Sequence, residues 1–341
     1  MVPEIMFLIK PPQEKKIFET YRPFDDLFIT NKGQIVPDHD KIKHLSETYD
    51  FILINCSTEH WGSVRDFPLT LRMSELLVEH NCKGFVCLSH DPSDELLHQK
   101  IMYFPFYARL AKIWPSKSTN RLTIAQKQRT YFLSNLNYFA RDFRIANYLM
   151  LLDKSYADRV FLTMHNQQQL NHDYDGHFSL TEEEICRWKH LQRQPTSFSD
   201  HYNVFFGLDH PAFSDSYLHL VSESTVKDKL FVTEKTWKPI AACQLFLIWG
   251  NSGIIQLIRD MGVDVFDDVI DHSYDVETDH RLRLNKIHHE LDRLSELDWQ
   301  HLNKLTVDRR IENSQKFYKG VFIDPYLQKL SFKLPPGNYY L

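Results

Sequence analysis

Short apolar runs that end in polar clusters recur along this chain, and each has the length and composition of a buried strand. Phe51–Cys56 runs into Ser57–Gly62, and Gly84–Leu88 into Ser89–Asp94. Tyr217–Val221 ends on Ser222, Glu223 and Ser224, and Leu245–Trp249 on Gly250, Asn251, Ser252 and Gly253. Met1–Lys10 predicts a first strand, and Thr130–Ser134 predicts the first strand of a second half. Helical spacing of apolar positions lies between these runs, at Leu69–Glu79 and from Asn135 to about Leu152. Ser179 with Glu182 resembles a capping box that opens a helix through Gln192. The triplet Thr233-Glu234-Lys235 opens a helix through Ala242, and another begins at Ile254. Asp279–Leu297 has the alternation of a surface helix. Strand, polar loop and helix in repetition predict a parallel α/β architecture, with ligands beyond the strand carboxyl ends.

Length sharpens that picture. At 341 residues the chain exceeds one ordinary domain. The expected division is residues 1–120, residues 121–320, and a tail, 321–341, packing back on the first domain. Pro115–Asn120 is the linker-like segment between the first two. Aromatic side chains are abundant, with 24 Phe and 16 Tyr, enough to fill large cores. No G-x-G-x-x-G or Walker-type loop is present, which argues against nucleotide sites of those kinds. Five cysteines at scattered positions suit a reducing compartment better than a disulfide framework. No run of 18 apolar residues appears, and the N-terminal apolar burst is too short for a signal peptide. The expectation is a soluble, cytoplasmic protein with no membrane partner.

The segment Phe231–Gly253, FVTEKTWKPIAACQLFLIWGNSG, is followed by Phe266-Asp267-Asp268 and Ser273-Tyr274-Asp275. Together they resemble the C-terminal half of phage- and virus-encoded glycosyltransferases. Around the (S/T)-E-K motif those are similar to α-1,3-fucosyltransferases. The resemblance covers about a third of the chain and implies two Rossmann-like domains facing a cleft, the GT-B arrangement. It places Thr233, Glu234 and Lys235 in the site for a nucleotide sugar, with UDP or GDP as carrier. Lys238 lies about one turn from Lys235 and adds a second charge. Val221-Ser222-Glu223-Ser224 resembles a V-x-E-(T/S) element, which brings Glu223 to the same cleft as a sugar-binding or basic carboxylate. Asn137, Arg141 and Arg144 resemble an Asn-ended strand and an Arg-containing helix start on the donor side.

For transfer to a hydroxyl, a base must reach the acceptor. Glu59 and His60 are the leading candidates, with His90 and Asp91 on the next loop. Lysine, arginine and a helix N-terminus would neutralise the departing diphosphate, so neither metal nor cofactor is expected. Asp173-Tyr174-Asp175 has the D-x-D form that metal-using glycosyltransferases employ, without an apolar strand leading into it. His165, His172, His177 and His190 read as loop residues. Between Leu96 and Arg141 the chain has no Asp or Glu, but eight Lys or Arg. Arg109, Lys112 and Lys117 are the expected phosphate contacts if the acceptor is 5-hydroxymethylcytosine in duplex DNA. The alternatives are a polysaccharide or lipid-linked glycan acceptor, or a non-catalytic nucleotide- or nucleic-acid-binding protein on the same scaffold.

Overall fold

A computed structural model describes residues 4–9, 28–31, 34–48, 51–55, 69–109, 125–171, 178–192, 208, 210–226 and 230–333. Its contacts divide the chain into two units. One comprises Met1–Tyr107 together with Ile323–Leu341, and the other Ala108–Phe322.

The first unit is built on a four-stranded sheet of order β1-β4-β5-β6. Strand β1 (Glu4–Ile9) runs antiparallel to β4 (Phe51–Asn55). Strands β4, β5 (Phe85–Ser89) and β6 (Ile101–Tyr103) are mutually parallel. A separate hairpin pairs β2 (Phe28–Asn31) with β3 (Gln34–Pro37). Helix α1 (His39–Thr48) and helix α2 (Leu69–Glu79) cover the sheet. Their stripes, Ile42 on α1 and Met73, Leu76 and Leu77 on α2, join Ile52, Ile54, Phe85, Cys87 and Ile101 in one core. The i, i+3, i+4 spacing on α2 is what turns those three side chains to the same side.

The second unit holds a fully parallel sheet of order β10-β9-β7-β8. Its strands are β7 (Tyr131–Arg141), β8 (Val160–Asn171), β9 (Ser216–Ser222) and β10 (Leu245–Trp249). Every residue of β9 and β10 is buried, as expected for parallel strands covered on both faces. The helices are α3 (Asp142–Leu152), α4 (Glu182–Gln192), α5 (Pro211–Asp215), α6 (Glu234–Ala241), α7 (Ile254–Asp260), α8 (His280–Ser295) and α9 (Trp299–Lys319). The chain is thus an α/β protein with parallel sheets. Helix α10 (Asp324–Lys333) then returns to the first unit. There Lys329 pairs with Glu95 at 2.6 Å, Lys333 Nζ donates to the Gln99 carbonyl, and Tyr326 meets Tyr103 edge-on at 5.4 Å.

Two local expectations are corrected. The strand expected at Thr130–Ser134 continues to Arg141, and the helix starts at Asp142 rather than Asn135. Asn135 and Asn137 remain in the strand because their amides find partners in the interior. The capping box belongs to Thr181 and Glu184: each side chain bonds the other's backbone N–H, at 3.2 and 2.7 Å. Among the described residues no helix is long and apolar enough to cross a membrane.

Candidate functional site

The carboxyl ends of β7 and β9 carry a dense polar cluster. Glu223, the first residue past β9, is fully buried, and its N–H extends the ladder by donating to Trp249 O at 2.9 Å. Its carboxylate takes four donors. Oε1 accepts from Thr233 N at 3.1 Å and Thr236 Oγ1 at 2.6 Å, and Oε2 from Thr233 Oγ1 at 2.5 Å and Ser224 N at 3.2 Å. Glu223 thereby holds the start of α6 against the end of β9. Gly250 allows the close approach: a Cβ there would lie 3.1 Å from Glu223 Cβ and 2.7 Å from Ile254 Cδ1.

Thr233 is the N-cap of α6, accepting from Lys235 N at 3.3 Å, as its position before the apolar run requires. Lys235 Nζ lies 2.9 Å from Glu234 Oε1, 3.0 Å from Ser224 Oγ and 3.3 Å from Thr233 Oγ1. Its side chain keeps 27% exposure, whereas Glu234 and Lys238 are buried. Burial pulls the Glu234 carboxyl up, but Lys235 and Lys238 outweigh it and hold the group below its ordinary range. Burial pushes the Lys238 ammonium down to about 8; Lys235 acts the same way, while Glu234 and Glu223 oppose it.

The end of β7 and the first turn of α3 each supply a guanidinium group. Arg141 donates to the Ser224 carbonyl. Arg144 is buried on α3 and donates to the carbonyls of Glu223 at 2.7 Å and Ser222 at 3.4 Å. Burial and Arg141 lower its pKa, and Glu223 and Glu234 oppose them. Arg141, Arg144, Lys235 and Lys238 therefore surround two carboxylates, leaving an excess of cations where a parallel sheet ordinarily receives its ligand.

Behind the cations lies a chain of buried amides. Asn135 Nδ2 donates to Leu220 O at 2.7 Å and to Ser222 Oγ at 3.0 Å. Its Oδ1 accepts from Asn137 Nδ2 at 2.5 Å and Asn147 Nδ2 at 3.2 Å. Asn147 Oδ1 in turn meets His288 Nε2 at 3.0 Å. Burial drives the His288 imidazole down to about 3, with Lys154 adding to the effect, so the ring is neutral.

The phosphate site expected at a helix start is already filled at α7. Asp275 Oδ1 accepts from Ile255 N and Oδ2 from Gln256 N, both at 3.1 Å. Tyr274 OH accepts from Ile248 N at 3.2 Å, so Ser273-Tyr274-Asp275 clamps the β10–α7 loop. Asp267 pairs with Arg259, and Asp268 and Asp264 with Arg309. The acidic signature downstream of β10 is thus engaged in holding helices.

The structure brings together Asn137, Arg141, Arg144, Glu223, Thr233, Glu234, Lys235 and Lys238. Glu59, His60, Lys112, Lys117, Asp173 and Asp175 lie outside the described residues, and Arg109 is described only in its backbone, in the 3-10 turn Phe106–Arg109. Asp91 caps the turn after β5 by accepting from Ser93 N at 2.8 Å. Of the acid-free stretch, Arg129 is buried and donates to the carbonyls of Phe213, Ser216 and Cys243, and Lys127 pairs with Asp215. The sequence reading missed Asn135, Asn147 and His288, whose polar side chains sit on elements read as apolar or surface-facing. Among the described residues no group of three or more His, Cys, Asp or Glu is placed to hold a metal ion. Compared with known families, curated proteins and solved structures, the chain matches none.

Proposed function

We propose that the second unit binds a nucleotide sugar and that the protein is a glycosyltransferase of GT-B-like, two-domain organisation, transferring the sugar to a hydroxyl acceptor. The observation that carries this reading is the set of four cations, Arg141, Arg144, Lys235 and Lys238, at the carboxyl ends of β7 and β9. A diphosphate leaving group needs positive charge already in place, because reorganising solvent around a developing anion is what fixed donors avoid. Glu234, drawn to Lys235, is left to hold hydroxyls of the ligand, and Glu223 positions the segment rather than reacting.

The test is thermal stabilisation and turnover with a panel of UDP- and GDP-sugars against free sugars. A ligand that binds only the native state raises the melting temperature by an amount that grows with the logarithm of its concentration relative to Kd. Lys235→Ala is expected to remove the shift and to cut turnover about 10²–10³-fold. Unchanged turnover and donor affinity in Lys235→Ala would place the donor elsewhere. The acceptor proposal, hydroxymethylated DNA read by Arg109, Lys112 and Lys117, rests on the sequence. It is checked by binding duplex DNA across a salt series, where charge reversal at those residues should flatten the slope.

A further inference from the structure

The amide chain behind the cations has a fixed direction. Asn135 Nδ2 spends its hydrogens on Leu220 O and Ser222 Oγ, so Asn135 must turn its oxygen toward Asn137 and Asn147. Both of those residues must then present their NH2 groups to it, at 2.5 and 3.2 Å. For Asn137 this settles which amide atom points away. Its Oδ1 is the remaining end, and flipping the group would set oxygen against oxygen. Asn137 is 2% exposed, and among the described residues its Oδ1 accepts no hydrogen bond. A buried carbonyl oxygen without a donor forfeits the solvation it had in the unfolded chain.

Position gives this oxygen a use. Asn137 stands two residues beyond Asn135 on β7, hence on the same face of the sheet and nearer its carboxyl end. Asn135 touches Ser222, whose carbonyl holds Arg144, so the oxygen belongs to the same strand ends as the cation cluster. We propose that Asn137 Oδ1 is a specificity-determining acceptor for an N–H or O–H donor on the nucleoside half of the bound nucleotide sugar. The inference rests on the nucleotide-sugar reading of this site. The transferred sugar must stay open to an incoming hydroxyl, so a buried acceptor suits the nucleoside, which does not react. Three groups carry this chemistry: an imino N–H, as in uracil or guanine, an exocyclic amino N–H, which a preference for CDP or ADP would indicate, and a ribose hydroxyl. A base with a ring lone pair at that place, as in cytosine or adenine, would meet the oxygen lone pair to lone pair.

The experiment is calorimetric titration of wild type, Asn137→Leu and Asn137→Ser with pyrophosphate, UDP, GDP, CDP, ADP and the 2′-deoxy forms of UDP and GDP. Pyrophosphate reports on the cations, and the ratio of nucleotide to pyrophosphate affinity reports on the nucleoside. That ratio is expected to fall about tenfold to a hundredfold in both variants, the range for an acceptor lost opposite a buried donor. A wild-type preference for UDP or GDP over CDP and ADP assigns the contact to the imino group. A loss on removing the 2′-hydroxyl assigns it to the ribose. Asn137→Ser guards against misfolding, since its hydroxyl can still donate to Asn135 Oδ1. A ratio unchanged in a folded variant overturns the inference while leaving the donor site standing. Wild type that binds neither pyrophosphate nor any nucleotide overturns the donor site as well.

Discussion

Each oxygen of Glu223 faces one backbone N–H, that of Thr233 or that of Ser224, together with a hydroxyl. A hydroxyl can rotate to accept, but a backbone N–H cannot. The isosteric Glu223→Gln therefore sets its amide group against a backbone donor in either orientation. Lost hydrogen bonds to a buried charge of this kind cost about 1.5–3 kcal/mol each. Glu223→Gln should lower the denaturation midpoint accordingly and loosen Lys235 from its place. A variant as stable as wild type would show that the carboxylate does not hold the segment. Lys238 gives a second expectation, in pH. Its ammonium is held at about 8, below its ordinary 10.5, and an arriving diphosphate raises it again. Binding then takes up a proton between those two values, so affinity should fall as pH rises through that window. Titrations from pH 7 to 10 check this, and Lys238→Ala should remove the slope. A wild-type affinity flat across the window would mean that Lys238 does not face the anion.

At the scale of elements, α7 depends on a residue twenty positions away. Asp275 caps it with both oxygens, and burial lifts that carboxyl although the Ile255 and Gln256 N–H groups pull it down. Asp275→Ala should cost about 2 kcal/mol, or about 4–8 °C of melting temperature, and Asp275→Asn noticeably less. Equal melting of all three proteins would contradict the cap. This contact also shows where sequence reading stops. The unit α6–β10–α7 was legible because its signals are local: a threonine cap, an apolar strand, a glycine-bounded loop. Asp275 carries no such signal, since nothing in its neighbours ties it to Ile255. The sequence predicts only five residues for β7, because Asn135 and Asn137 look like a strand's end. In a parallel strand buried on both faces, a polar residue can continue the element if its partners come from distant segments, here Ser222, Asn147 and, through it, His288. Lys235 and Lys238 stand out in the sequence by their motif and one-turn spacing, and Asn137, Arg141 and Arg144 by a strand end running into a helix start, whereas Asn135, Asn147 and His288 carry no local signal.

Over the whole molecule, the first unit needs the last described helix. Leu330 of α10 is fully buried, and Tyr326, Lys329 and Lys333 engage Tyr103, Glu95 and Gln99. A chain ending at Ile323 should lose hydrogen-exchange protection in β4, β5 and β6 while β7, β9 and β10 keep theirs, because local stability follows the packing that is removed. Uniform loss, or none, would contradict the division of contacts. The same division bears on how the protein is made. Domains commonly acquire structure in the order in which the ribosome delivers them. Here the segment up to Tyr107 leaves the ribosome before the second unit, yet its unit is complete only when Ile323 and the residues after it have been added. The nascent chain can therefore finish the second unit first, while the apolar strands β4, β5 and β6 wait for α10 to emerge.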